Sequence, residues 1–387
     1  MNNDVIEYFK MIVDEINENR NHMLGYPANY ADKSPDVLLA EMLDDKIGFA
    51  NNCGPTNATG NYKMDSKRIE KQILEKVASN LGLTYGNKSG DYAGYIGTGG
   101  TEGNAFGIKT GLSKYNYDAI VYYSNQAHYS IEKNLDKNII REVISSLPDG
   151  QINFKELLVK CIYNYKKYNK PAVIILTQGT TVLGAVDNIE LIEKMLKLNN
   201  IPYYMHVDAA QYGGIPKNSI NAPVIDYSKL DVDSISISLH KYFGCSEAHG
   251  VILYKSDLEK NKNYISYIGQ FDTTICGSRS IRPFSTYCRV NDILNSDKND
   301  YIENINFFEE LLIENGIEYK LFKDGNIKGN TFLLPKPSQE ICEYYQLAEE
   351  IYDNKEYVHV IIFPYHNKEV LRKFVNELSN NYQYKKL

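Results

Sequence analysis

Tryptophan is absent from the sequence, cysteine occurs only six times in 387 residues, and neither sign of charge dominates. Each scarcity excludes something. Cys53, Cys161, Cys245, Cys276, Cys288 and Cys342 are scattered without a C-x-x-C pair, which argues against a disulfide framework and for a reduced, intracellular protein. With 42 basic against 49 acidic residues the formal charge is −7, so there is no general polycationic surface to track phosphates, and nucleic acid is not an expected partner. No apolar run approaches the roughly 18–20 residues needed to span a bilayer. The run PAVIILT stops at seven. The start, MNNDVIEYFKMIVDEINENR, lacks the basic-then-apolar order of a secretory signal, so a cytoplasmic protein with no membrane partner is expected.

What is present suits a folded enzyme-sized chain. Hydrophobic residues make up 43% and charged residues 24%, and the length exceeds the roughly 250–300 residues at which one core stops growing. A large domain with a smaller one is expected. The 33 tyrosines suggest no collective role. Residues 66–81 place Ile69, Ile73, Leu74, Val77 and Leu81 on one stripe ending at Gly82, which predicts a helix. GYIGTGGTEG reads as a short extended piece entering a glycine turn that feeds a helix near Thr101. Strand-length apolar runs follow at 119–124, 172–177, 203–207, 234–239 and 250–254. Between the second and third lies an amphipathic helix with Ile189, Ile192, Met195 and Leu196, so the three make a β-α-β unit with a parallel pair. A doubly covered parallel sheet is the economical reading. After about residue 290 the order changes to helix (301–313), strands near 319–322 and 331–334, a second helix, a strand (358–363) and a last helix, a separate small α/β domain. The expected division is an arm (1–55), a large domain (56–289) and a small domain (290–387).

The chemistry-bearing residues cluster at the ends of the expected strands, where open parallel sheets bind ligands. Alone, the turn Gly97–Gly103 is a tight bend, Asp208 of HVDAA a capping residue, His128 a loop histidine and Lys241 a solvated lysine. The turn is no dinucleotide fingerprint, because Glu102 stands where the third glycine belongs, and no Gly-Lys pair makes it a Walker loop. What remains is a helix start with free N–H groups and the Thr101 hydroxyl, suited to one phosphate. Asp208 ends an apolar strand, where a carboxylate needs a charged or hydrogen-bonding partner. Lys241 follows the strand SISISL, where burial lowers the amine pKa and makes a nucleophile. In order along the chain, a phosphate cradle, a planar ring, an anion and an amine are what pyridoxal phosphate requires. The competing metal reading uses His240, Cys245 and His249, or His206 with Asp208, but no second pair completes a tetrahedron. A hydrolase triad lacks its G-x-S-x-G elbow.

These residues resemble the pyridoxal-phosphate-dependent group II amino acid decarboxylases, in the histidine decarboxylase and serine decarboxylase branch. The likeness runs in order through LGYPANY (24–30), NNCG (51–54), GYIGTGGTEGN (94–104), YYSNQAHYS (122–130), GTTVLGAVDNIE (179–190), HVDAA (206–210), SLHK (238–241) and CGSR (276–279), and the ending VHVIIFPYHNKEVLRKFVNEL is similar too. The resemblance implies the fold type I architecture, a large mostly parallel-sheet cofactor domain with a smaller C-terminal α/β domain. It implies that Lys241 binds the cofactor aldehyde, that Asp208 keeps the ring nitrogen protonated and that His128 stacks on the ring and faces the substrate. Gly100, Thr101, Ser238 and His240 would hold the phosphate, and Thr180 and Ala210 would line the ring. The proton that replaces the lost carboxylate would come from His128 or from a mobile-loop tyrosine offered across a homodimer interface, with Tyr267 the loop candidate.

Three places depart from the branch. Leu239 replaces the usual glycine before His-Lys and is expected to reshape the space beside Lys241. The stretch Cys245–His249 replaces a proline- and cysteine-containing one, and Ser280-Ile281-Arg282 replaces Asn-Gly-His, leaving Glu247 and Arg282 as either substrate contacts or solvated or dimer-contact residues. The expected activity is decarboxylation of a small L-amino acid, histidine ahead of serine. The alternatives are an aminotransferase or carbon–carbon lyase of the same fold, and a catalytically silent binding protein.

Overall fold

A computed structural model of the chain describes residues 3–259, 263–271 and 273–385. An N-terminal arm contains α1 (Asn3–His22) and α2 (Pro35–Ile47). Ser34 caps α2 by accepting from the Val37 N–H, with Pro35 occupying the first turn, where its missing donor costs nothing. Next come α3 (Lys67–Asn80), β1 (Tyr92–Gly97), α4 (Gly100–Lys114), β2 (Ile120–Ser124), α5 (Ser130–Lys133), β3 (Arg141–Ile144), α6 (Phe154–Tyr168), β4 (Ala172–Thr177), α7 (Ile189–Leu198), β5 (Tyr203–Asp208), β6 (Ser234–Ser238) and β7 (Gly250–Lys255). A short hairpin of β8 (Tyr264–Ile265) and β9 (Gln270–Phe271) leads to α8 (Pro283–Leu294). The chain ends with α9 (Asp300–Glu314), β10 (Lys320–Asp324), β11 (Ile327–Pro335), α10 (Gln339–Tyr344), β12 (Ala348–Tyr352), β13 (Lys355–Ile361) and α11 (Lys368–Lys385).

The large sheet has seven strands in the order β1-β7-β6-β5-β4-β2-β3. It is mostly parallel, as expected, except that β7 runs against both its neighbours, β1 and β6. Periodicity cannot reveal this reversal, because a strand buried on both faces shows the same apolar run in either direction. The parallel strands β4, β5 and β6 therefore end at one edge, Thr177 beside Asp208 and Asp208 beside Ser236 in register. The reversed β7 begins at that edge, with Gly250 opposite Gly97 on one side and Ser238 on the other. On one face Ile73, Leu74 and Val77 of α3 and Ile192 and Leu196 of α7 join the strand residues Ile174, Leu176, Val207 and Ile235 in a nearly or fully inaccessible core; on the other, Val121, Val173, Ile175 and Tyr204 join Ile108 and Leu112 of α4.

The second sheet, ordered β10-β11-β13-β12, is antiparallel throughout. It packs on α9 and α11 through Phe308, Phe332 and Phe374, with the Phe308 and Phe332 rings edge to face at 4.9 Å. Helix α8 runs through the expected division at 289/290 and packs on α2 and α3. The core around the second sheet also takes in Leu24, Tyr212 and Tyr242, which ties that sheet to the strand ends of the first.

Candidate active site

A cavity of about 420 Å³ opens at the sheet edge where these strand ends meet. Its walls include Thr98, Gly99, Gly100 and Thr101 from the turn entering α4, His128 and Tyr129 after β2, Thr177 at the end of β4, Asp208 and Ala210 after β5, and Ser238, His240 and Lys241 after β6. Tyr26 and Pro27 of the arm and His359 and Ile361 of β13 close it from outside the large sheet. A larger groove of about 780 Å³ lies between α3 and α8, lined by residues such as Lys76, Asn80 and Lys298, and gathers none of this chemistry.

The glycine turn is shaped for close approach. Gly99 takes φ +125°, and a side chain on Gly100 would put its Cβ 2.9 Å from Ser238 Oγ and 3.2 Å from Ala210 Cβ. Glu102 does not face the cavity; it folds back to accept from the Thr98 N–H at 2.7 Å, the Thr98 hydroxyl at 2.9 Å and the Tyr95 hydroxyl at 2.9 Å. Burial opposes its ionisation, but these bonds and the Cys276 thiol outweigh that and hold its carboxyl below the usual range. The first N–H groups of α4 have no intrahelical acceptor, and Gly100 and Thr101, which carry two of them, line the same cavity as Ser238.

Asp208 is buried, and both its oxygens accept: Oδ1 from the Ala210 N–H at 3.1 Å, Oδ2 from Asn104 Nδ2 at 2.7 Å. His128 Nδ1 lies 2.8 Å from Ser130 Oγ. Burial depresses the His128 pKa, with Lys241 adding to the effect and Asp208 opposing it. Lys241 is depressed by burial too, again against the pull of Asp208, which favours the free amine a nucleophile needs. His240 is held neutral by burial and by the nearby Lys241, and its Nδ1 has no hydrogen-bond partner among the described residues.

Several expected positions move. Thr180 does not line the cavity; its hydroxyl turns inward to accept from the Ala185 N–H at 2.9 Å, while Thr177, Gly179 and Thr181 form that wall. Tyr267 is 70% exposed in the turn between β8 and β9 and is not among the wall residues of its own chain. Leu239 does not shape the space beside Lys241, because strand alternation sends Ser238 and His240 to the cavity and Leu239 into the main core at 0% exposure. Arg282 pairs with Asp45 at 2.7 Å and Glu247 at 3.4 Å against α2, away from the cavity walls. Asn104, Tyr26 and His359 line the cavity as well; each lies in a stretch quoted above, GYIGTGGTEGN, LGYPANY and VHVIIFPYHNKEVLRKFVNEL, without a feature that marks it individually. Among the described residues no three His, Cys, Asp or Glu side chains gather as a metal site, and no helix is long and apolar enough to cross a membrane.

The donor set fits pyridoxal phosphate: helix-start N–H groups, Thr101 and Ser238 for the phosphate, a buried acceptor at Asp208 for a protonated ring nitrogen, and an amine at Lys241 for the aldehyde. The description "Pyridoxal-dependent decarboxylase conserved domain" matches residues 112–277. Histidine decarboxylase of Vibrio anguillarum is 31% identical over 362 residues, covering 90% of this chain and 87% of the relative. Serine decarboxylase 2 of Oryza sativa subsp. japonica is 31% identical over 366 residues, covering 92% and 74%, and histidine decarboxylase of Solanum lycopersicum is 29% identical over 383 residues, covering 96% and 88%. In three dimensions L-methionine decarboxylase from Streptomyces sp. 590 superposes with a TM-score of 0.84 at 18% identity, covering 98% of this chain and 95% of that one. The sphingosine-1-phosphate lyase of Burkholderia pseudomallei shares the fold, with a TM-score of 0.76 at 13% identity over 99% and 91%.

Sheet order, small domain and cavity together define a fold type I pyridoxal-phosphate enzyme. Within that class the chain belongs to the pyridoxal-phosphate-dependent group II amino acid decarboxylases, and its activity is decarboxylation of an amino acid.

Proposed function

We propose that the substrate is a small polar L-amino acid, histidine first and serine second. The observation that carries this reading is that relatives near 30% identity, matched along most of their length, are histidine and serine decarboxylases. Polar walls that the cofactor roles below do not use, Tyr26, Tyr129, Thr181, Gln211 and His359, are consistent with a polar side chain.

In this reading Lys241 holds the cofactor aldehyde, Asp208 meets the ring nitrogen and His128 covers the ring face. Gly100, Thr101, Ser238 and His240 hold the phosphate, and Ala210 lines the ring with the 177–181 turn in place of the Thr180 side chain. The bound cofactor supplies a cationic ring that accepts the electron pair of the broken bond to the carboxylate. The chain excludes water around that bond with Tyr26 and Pro27 of the arm and Ile361 of the small domain. Tyr267, outside its own chain's cavity, acts as proton donor only if it reaches a second copy's site. A homodimer is supported by apolar residues left exposed on two arm helices, Tyr8, Phe9, Met11 and Ile16 on α1 and Leu38, Leu39 and Met42 on α2. Six free cysteines support a reducing compartment, the cytoplasm.

The test is a panel of the twenty amino acids with cofactor added, scored for carbon dioxide and for keto acid. Histidine is expected to release carbon dioxide fastest. Keto acid in place of carbon dioxide would move the chain to aminotransfer, and turnover confined to a large apolar substrate would overturn the polar-substrate reading.

A further inference from the structure

We propose that Asn104 is a positioning residue that fixes the hydrogen-bonding states of Asp208 and His128 through one directional relay, and so sets how strongly Asp208 holds the cofactor's ring nitrogen. The proposal rests on the reading of Asp208 given above.

Asn104 lies on α4 and is 1% exposed. Its orientation follows from its neighbours. The carboxylate oxygen Asp208 Oδ2, 2.7 Å away, can only accept, so the amide nitrogen faces it. The second amide hydrogen goes to Ser130 Oγ at 2.8 Å. Asn104 Oδ1 is then the acceptor for Ser236 Oγ and for His206 Nε2, both at 3.0 Å, which puts the His206 proton on Nε2. His206 is fully buried, and desolvation keeps it neutral, so its Nδ1 accepts from the Ser234 hydroxyl at 2.7 Å. Ser234 Oγ, having donated its hydrogen, accepts from the Tyr204 hydroxyl at 2.7 Å. One hydrogen each from Tyr204, Ser234, His206 and Asn104 thus points along the relay toward Asp208, an alignment in which each bond strengthens the next.

The branch through Ser130 is directional as well. Ser130 Oγ receives from Asn104 and donates to His128 Nδ1, and the Ser130 backbone N–H, which can only donate, lies 3.3 Å from the same nitrogen. His128 therefore carries its proton on Nε2. The charged groups beside it are Asp208 and Lys241, and the one beside His206 is Asp208.

The helix is cut to fit this relay. A Cβ on Gly103 would sit 2.3 Å from Ser236 Cβ, one on Gly107 2.3 Å from His206 Nδ1, and one on Gly111 2.6 Å from the Tyr204 ring. Glycine at every fourth position opens the face of α4 over β5 and β6 to polar side chains, although glycine weakens a helix and buried polar groups cost stability unless satisfied. An apolar seam would pack more cheaply, so the seam's polarity serves Asp208 and His128.

The experiment is nitrogen-15 NMR of the full chain with labelled histidine, stripped of and reloaded with pyridoxal phosphate, the two signals assigned by His206→Gln and His128→Gln. Both histidines are expected as neutral Nε2–H tautomers before cofactor is added. Asn104→Leu is expected to release His128 into a tautomer mixture, to weaken cofactor binding about ten- to a hundredfold and to shift the cofactor's absorbance. Ser234→Ala, remote from the cavity, keeps the test open if that variant fails to fold: it is expected to free the His206 tautomer and weaken cofactor binding about threefold. A proton on Nδ1 of either histidine overturns the relay while leaving the role of Asp208 standing. Nε2–H tautomers with an unchanged cofactor spectrum in Asp208→Asn uphold the relay and overturn the ring-nitrogen reading. Unchanged cofactor affinity and absorbance in both Asn104→Leu and Ser234→Ala overturn the proposal.

Discussion

On one side of the cavity, Gly100, Thr101, Asp208, Ser238, His240 and Lys241 stand where strands of a single sheet end or where the chain enters α4. Asp208 is tied by two hydrogen bonds, and Gly100 leaves only van der Waals room for Ser238. On the other side, Tyr26 and Pro27 come from the arm, Tyr129 stands in a loop with 67% of its surface exposed, and His359 and Ile361 belong to a different sheet. The first side is held by backbone register, the second by the docking of separate regions. In the proposed reading the cofactor is held on the first. The same reading has the substrate side chain meet the second, whose walls come from the arm, a loop and another sheet.

That contrast can be broken on the sheet side first. Lys241→Ala is expected to cut turnover by on the order of 10⁴- to 10⁶-fold, measured as carbon dioxide release; retention of full turnover would remove the lysine from the chemistry. Leu239→Ala separates core from cavity: it is expected to cost about 2–5 kcal/mol in urea unfolding while leaving the ranking of amino acid substrates unchanged. A changed ranking would return Leu239 to the site.

Acid stability sharpens the account of the seam behind Asp208. Burial, the largest cause, lowers the His206 pKa from 6.5 to about 4. Above pH 6.5 both folded and unfolded chains leave this histidine neutral. Below it the unfolded chain binds a proton that the folded chain refuses, so stability falls with pH and reaches a loss of about 3 kcal/mol near pH 4, at 1.36 kcal/mol per pH unit. The melting temperature is expected to drop between pH 6.5 and 4.5, and more shallowly in His206→Gln, whose overall stability is lower. An equal acid slope in both proteins would mean His206 titrates normally. The smallest effect is expected at the cradle, where Gly100→Ala must displace Ser238 or Ala210 and should weaken cofactor binding about tenfold, read by equilibrium titration.

The same contrast explains what the sequence discloses. Long buried strands such as AVIILT and the amphipathic helix at 189–198 announce themselves by pattern, and so do the strand-end residues Asp208 and Lys241. The edge strands β3 and β12 do not: REVI and AEEIY are partly exposed and charged, and carry no sustained apolar signal. Direction is silent too, which hid the reversal of β7. The inward turn of Thr180 is not legible either, because its hydroxyl is taken by the Ala185 N–H while Gly179 and Thr181 reach the cavity. Asn104 and Asp208 are 104 residues apart, so their bond is visible only once α4 lies across β5 and β6.

The most direct test of the central claim is to reduce the cofactor-loaded enzyme with borohydride and locate the phosphopyridoxyl group by peptide mass mapping. The account predicts a single modified lysine, Lys241, in the peptide containing Ser238, Leu239 and His240. Label on any other lysine, or no stable label at all, would contradict it.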